Sequence, residues 1–374
     1  MSIKSDLKKD GIEVIKKLDT LTINSIASNV AKKLCDNFPD FGFDYNALFI
    51  KISRLDMYII KAPEGMSEAN YFYKNKSIYF SEHIPNDKLE KFAVHECIHH
   101  IQEVRDKKNF LVRMGLCDYS TIKPTGLALN EAAVQLITSK LNNTKKESVK
   151  YYNISFDAVS PNYYPIECLL VNELAYLVGE DTLFESTLFG NDNFKKEFIE
   201  KTSAKTFLDI ENALDTIYYY EEEIVKINNK IISVDDRNKK VDNLIEKINS
   251  LKQNITSTFF YTQNLIISSY FDNAFKKIED TYDIESFRKK LYSFKDYLGG
   301  ADGYNFFNDY YVDKMVCLEE KYNLLESGIK SDETSLAVVK KHSKIYKFFH
   351  YLKTLILKNS MKQENALNYN NYKK

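Results

Sequence analysis

His95, Glu96 and His99 stand in the stretch FAVHECIHHIQEV, residues 92–104, where three of the chain's six histidines fall within six positions. On a helix, residues four apart lie one turn apart on the same face, about 6 Å between side-chain roots. Two imidazoles so placed can take adjacent corners of a zinc tetrahedron, at about 2.0–2.1 Å each. Glu96 follows the first of them by one residue. It is rotated too far to bind the same ion, but it can hold a water that does. The spacing therefore supplies two metal ligands and one base, and the chemistry it suggests is hydrolysis by activated water.

Two histidines do not complete a catalytic site. The three-histidine pattern HExxHxxGxxH fails here, because its glycine and third histidine positions hold Gln102 and Arg105. The histidines outside the cluster (His83, His342, His350) stand in no ligand context. A carboxylate is the better third ligand, and GLALNEAAVQ offers Glu131 amid Leu127, Ala128, Val134 and Ile137. An acid among such neighbours is partly desolvated and favours a cation; a buried salt bridge, for instance to Arg113, is the competing explanation. His100 has no ligand role in this reading, and Cys97 packs as a small apolar residue.

The elements around these residues follow from periodicity. Residues 21–37 have helical spacing of Ile, Val and Leu. LFIKIS (48–53) and MYIIKA (57–62) read as strands, and NYFYKNKSIYFS (70–81) as a hairpin about Lys74–Lys76. A helix is expected over 85–109, started by Pro85 and capped by Asn86 or Asp87. Helices follow over 124–143 and 164–178. From about Ala204 the texture becomes long helical patterns broken at SVDDRN, which suggests an antiparallel helical hairpin. LGGADG (298–303) is loop punctuation, SGIKSDETS a linker, and 336–359 a basic amphipathic helix before a disordered tail.

The stretch with HECIH and Asn130-Glu131 resembles the gluzincin, or thermolysin-like, zinc metallopeptidases, over roughly residues 45–140. The resemblance implies one catalytic zinc held by His95, His99 and Glu131, with Glu96 as general base and acid and Asn130 beside the ligand set. It implies a substrate-holding edge strand ahead of the active-site helix, for which Ile78, Tyr79 and Phe80 are placed. This chain departs from the pattern in three ways. An Asp expected four residues after the ligand Glu is Gln135, which can accept a hydrogen bond but adds no charge. The gap from His99 to Glu131 is long. The family's downstream oxyanion-stabilising His is missing, and a tyrosine phenol could replace it: Tyr164 is favoured, over Tyr163 and Tyr119.

The expected architecture is α+β: a zincin-like catalytic domain over 1–203, with a small antiparallel or mixed sheet plus the active-site helix. A helical domain with long antiparallel helices over 204–327, then linker, basic helix and tail over 328–374, complete it. Lys+Arg (52) and Asp+Glu (53) nearly cancel, which argues against a nucleic-acid partner. A peptide or protein is the expected substrate. The basic helix could touch an anionic membrane, although docking of its apolar stripe is the simpler role. Five scattered cysteines suggest reduced thiols. With no leader or spanning segment recognisable, a cytoplasmic location is expected, leaving leaderless export open. The rival to an enzyme is a helical scaffold that keeps the zincin fold without turnover. The position of the Glu131 carboxylate discriminates: out of reach of the two imidazoles, it would remove the enzyme.

Overall fold

A computed structural model describes residues 12–62, 67–121, 123–232, 239–298 and 305–328. The chain is mixed α+β, mostly helical with small sheets. It divides into two compact units that do not follow a single cut at 203. Of the described residues, the first takes those within 12–149, 157–197 and 214–251; the second takes those within 150–156, 198–213 and 252–328.

The first unit opens on β1 (Glu13–Lys17) and α1 (Thr20–Asn37). Asp19 caps α1 by accepting the Thr22 N–H at 2.8 Å. Ile23, Ile26, Ala27, Val30, Ala31 and Leu34 form its buried stripe at helical spacing. The next element, α2 (Tyr45–Ser53), corrects the strand expected over 48–53. Asp44 caps it through the Ala47 N–H at 2.7 Å. Its buried positions, Leu48 and Ile52, are four apart while Ile50 is exposed, which is a helical period despite the branched side chains.

β2 (Asp56–Lys61), β3 (Ala69–Phe72) and β4 (Ser77–Ser81) join β1 in one sheet of order β1-β2-β4-β3. β4 pairs parallel with β2 on one side and antiparallel with β3 on the other. The hairpin over 70–81 is therefore present, but its strands hold the opposite places to those expected. β4 is interior and buried along its length. Ile78, Tyr79 and Phe80 have both backbone edges paired and cannot hold a substrate strand; β3 is the edge.

A 3-10 turn at Asn86–Lys88 leads into α3 (Leu89–Ile101) without a side-chain cap. α3 is buried on nearly all sides. It ends at Gln102, whose N–H closes on Ile98 C=O at 3.0 Å, well short of residue 109. The chain then turns into β5 (Glu103–Arg105), which pairs with β6 (Leu111–Met114) and through it with β7 (Cys117–Asp118). That small sheet fills the long gap between His99 and Glu131.

α4 (Leu127–Leu141), α5 (Pro165–Val178), α6 (Glu180–Phe189) and α7 (Asn193–Lys201) follow. α4 starts after Gly126, whose φ of 74° suits a residue without a Cβ. Its free N–H groups are met from far along the chain: Asp215 accepts from Ala128 N–H at 2.9 Å and Gly126 N–H at 3.2 Å. Asp215 lies in α8 (Ala204–Ile232), whose residues from Leu214 belong to this unit, as does α9 (Lys239–Lys276) as far as Leu251.

The core of the second unit is phenylalanine-rich. α10 (Thr281–Leu298) and α11 (Asn305–Glu326) supply Phe287, Phe294 and Phe307. Phe294 meets Phe271 at 5.6 Å and Phe307 at 5.4 Å between ring centres. The SVDDRN break, most of LGGADG, and the basic helix and tail lie outside the described residues. Among those described, no helix is long and apolar enough to cross a membrane.

Candidate metal centre

α3 and α4 run side by side, and the one-turn spacing of HECIH brings both imidazoles to the shared face. His95 Nε2 and His99 Nε2 lie 3.0 Å apart. The Glu131 carboxylate, whose position discriminates between enzyme and scaffold, reaches both, with Oε2 at 3.4 Å from each Nε2. Arg113, its competing partner, instead pairs with Asp192.

The edges of this triangle, 3.0, 3.4 and 3.4 Å, can be compared with a zinc tetrahedron. Arms of about 2.05 Å give edges of about 3.3 Å. Three donor atoms at that spacing are compatible with one zinc ion among them. Burial alone would raise the Glu131 carboxyl, but the His99 charge and hydrogen bonds from both imidazoles take it well below the carboxylate range. Burial disfavours a charged His99, and Glu131 more than reverses that, so its pKa is raised.

Each imidazole is held from behind by an amide. Gln135 Oε1 lies 3.0 Å from His95 Nδ1; as a carbonyl it accepts the Nδ1–H, so that in the neutral ring Nε2 carries the lone pair a metal would take. The Gln102 amide lies 2.8 Å from His99 Nδ1. With its nitrogen toward the ring, its oxygen is buried without a partner. A half-turn of the amide sets the oxygen to accept Nδ1–H. Asn130 Oδ1 also accepts the Leu116 N–H at 3.0 Å. Gly115 (φ 55°) leaves room for this cluster: a Cβ there would collide with both Asn130 Oδ1 and Gln102 Oε1. Removing the Gln135 acceptor as Gln135→Leu is expected to weaken zinc binding by about 10–100-fold. Competition against a chromophoric chelator reads this directly, and an unchanged affinity would remove Gln135 from the support of His95.

Glu96 is 8% exposed and faces the same cleft. Its Oε2 accepts the Tyr71 N–H of β3 at 2.5 Å. The Tyr71 phenol donates to Glu103 Oε1 at 2.9 Å and stands 2.9 Å from His100 Nδ1. His100 thus has a place, tying α3 to the edge strand. Burial, with the Lys51 charge beside it, lowers its pKa to about 4, so it is neutral at physiological pH.

The cleft has a volume of about 390 Å³ and is bordered by β3. Tyr164 adopts a left-handed backbone (φ 49°, ψ 44°) just before α5. Its ring lies 6.4 Å from the His95 ring, inclined to it by 29°, and 6.0 Å from the Tyr218 ring. Burial first, then the Glu131 charge, pushes the Tyr164 phenol far above its usual range, so it stays a protonated donor; the Tyr218 phenol is raised for the same two reasons. Tyr163 and Tyr119 also line the cleft. Behind Tyr164, Glu167 is fully buried, and burial and the Glu221 charge push its carboxyl well above its ordinary 4.5. A raised folded pKa gives stability that is present below 4.5 and lost as pH rises through the raised value. Glu167→Gln is therefore expected to narrow the melting-temperature drop between pH 5 and pH 8 by about 3 °C or more. A wild-type pH profile in the variant would assign that loss elsewhere.

The structure brings His95, His99, Glu131, Glu96, Gln135 and Tyr164 to one cleft, buries Asn130 outside its lining with Oδ1 on the Leu116 N–H, and leaves Ile78, Tyr79 and Phe80 in the sheet interior. Sequence reasoning missed Tyr71, Gln102, Gly115, Asp215 and Tyr218. Of these only Gln102 carried a local signal, three residues after His99 on the same face. Compared with protein-family models, curated proteins and solved structures, the chain matches none significantly.

Proposed function

We propose that the chain is a zinc-dependent peptidase of gluzincin type, in which His95, His99 and Glu131 hold one catalytic zinc ion and Glu96 moves the proton. The observation that carries this reading is the convergence of the three ligand atoms at zinc spacing with Glu96 in the same cleft. Zinc bound there would polarise the scissile carbonyl and lower the pKa of a water it holds toward about 7.

The chain's own groups supply the rest. Tyr71 N–H fixes Glu96 Oε2, which leaves Oε1 to take the proton of the attacking water and hand it to the departing amine. The Tyr164 phenol, kept protonated by burial, donates a hydrogen bond to the developing oxyanion, with Tyr218 packed behind it. Extended substrate pairs with the outward backbone groups of β3 that the protein leaves free, those of Ala69 and the Tyr71 C=O, since Glu96 takes the Tyr71 N–H; this edge strand has the role expected of 78–80. Peptide cleavage by the zinc-loaded chain tests this reading, with and without chelator and in Glu96→Gln. Cleavage that survives chelation, or that the variant retains, defeats it.

A further inference from the structure

The two ends of the cleft differ. β3 and β4 are antiparallel, and Ser81 N–H bonds to Glu68 C=O at 2.8 Å. The ladder then turns the backbone groups of Glu68, Asn70 and Phe72 toward β4, and those of Ala69, Tyr71 and Tyr73 outward to the cleft. Glu96 holds the outward Tyr71 N–H. Two residues on, Arg105 Nη2 donates to Tyr73 C=O at 2.9 Å.

That guanidinium is fixed. Its Nε and Nη2 bond to the two oxygens of Glu103, each at 2.9 Å, and Nη1 donates to Asn109 C=O at 3.1 Å. The Tyr73 ring meets the Tyr119 ring edge-on at 5.8 Å beside it. A strand laid along β3 therefore finds the Ala69 groups and the Tyr71 C=O free, the Tyr71 N–H taken by Glu96, and no free C=O at Tyr73. The opposite end is bordered by Ser67, Glu68 and Lys91, all exposed.

We propose that Arg105 ends the substrate groove, so that the site cuts extended peptides close to their amino terminus. The inference rests on the peptidase reading above. A strand added antiparallel to β3, the more stable pairing, puts its amino-terminal side at the Tyr73 end. The scissile bond sits beside Glu96, opposite Tyr71. From Tyr71 to Tyr73 is about 7 Å at about 3.3 Å per residue, room for about two residues before the scissile bond. The chain after the scissile bond runs out past Ala69 toward Ser67.

The test is mass-spectrometric mapping of cuts made by the full zinc-loaded chain in a mixture of tryptic peptides from a denatured proteome. Wild type is expected to cut after the first or second residue. For one good substrate, adding residues at the amino end should lower kcat/KM by about tenfold or more, and adding them at the carboxyl end should not. Arg105→Ala frees Tyr73 C=O and should move cuts deeper into the peptide. Interior cuts by wild type, or a length limit on the carboxyl side, overturn the proposal while leaving the peptidase intact. The extension series needs no variant, so a misfolded Arg105→Ala does not block the test. No Glu96-dependent cleavage of any peptide defeats the peptidase reading, and this inference with it.

Discussion

Glu96→Gln is expected to bind zinc at the wild-type stoichiometry and to hydrolyse peptides on the order of 10²–10⁴ times more slowly. The substitution preserves shape. The amide oxygen can still accept the Tyr71 N–H that now holds Oε2 at 2.5 Å, so the side chain keeps its place beside β3. What changes is the second oxygen, which becomes an –NH2 and cannot take a proton. A loss of that size is about 2.7–5.4 kcal/mol of barrier. It falls on kcat, because the proton moves only in the chemical step. Zinc content by atomic absorption and the melting temperature of the loaded protein should match wild type. A variant as fast as wild type would mean that Glu96 is not the base.

The chemistry of the site was more legible in the sequence than its walls. HECIH and Asn130-Glu131 are local patterns: one-turn spacing on a helix decides which side chains share a face, whatever the rest of the chain does. The substrate strand was not local. Whether SIYFS or NYFY lies at the edge depends on β2 passing over β3 to pair parallel with β4, a crossover that no short window records. An interior strand and an edge strand of this length look alike until their partners are known. The same holds for Asp215 and Tyr218. The run YYYEEEIVKINNKI reads as a long solvated helix, and only the fold brings Asp215, just ahead of it, to the start of α4 and Tyr218 to Tyr164. α2 was misread for another reason: Ile50 and Ile52 suggested a strand, and the Asp44 cap with burial at Leu48 and Ile52 favours the helix.

Glu131→Ala is expected to weaken zinc binding beyond the about 10–100-fold that loss of a supporting residue costs, and to abolish hydrolysis with it. Glu131 is the one anion of the triangle. Without it a doubly charged cation would rest on two neutral imidazoles in a cleft where His99 is only 6% exposed, and burying an unbalanced charge is unfavourable. The variant should therefore purify with little zinc. It should also lose the rise in melting temperature that zinc gives wild type, since ligand stabilisation depends on the ratio of free zinc to Kd. The metal-free melting temperature separates this from misfolding. Removal of Glu131 takes away the partner of His99, which lowers the metal-free melting temperature, but the helix pair stays joined through Gln135 on His95 and the buried neighbours Ala128, Ala132 and Val134. Zinc should then raise the melting temperature of wild type and leave that of the variant unchanged, whatever the offset between the two metal-free forms. Equal stoichiometric zinc in both would take Glu131 out of the ligand set. Its carboxylate would then be the partner of a protonated His99, and the cleft a buried ion pair without a catalytic metal.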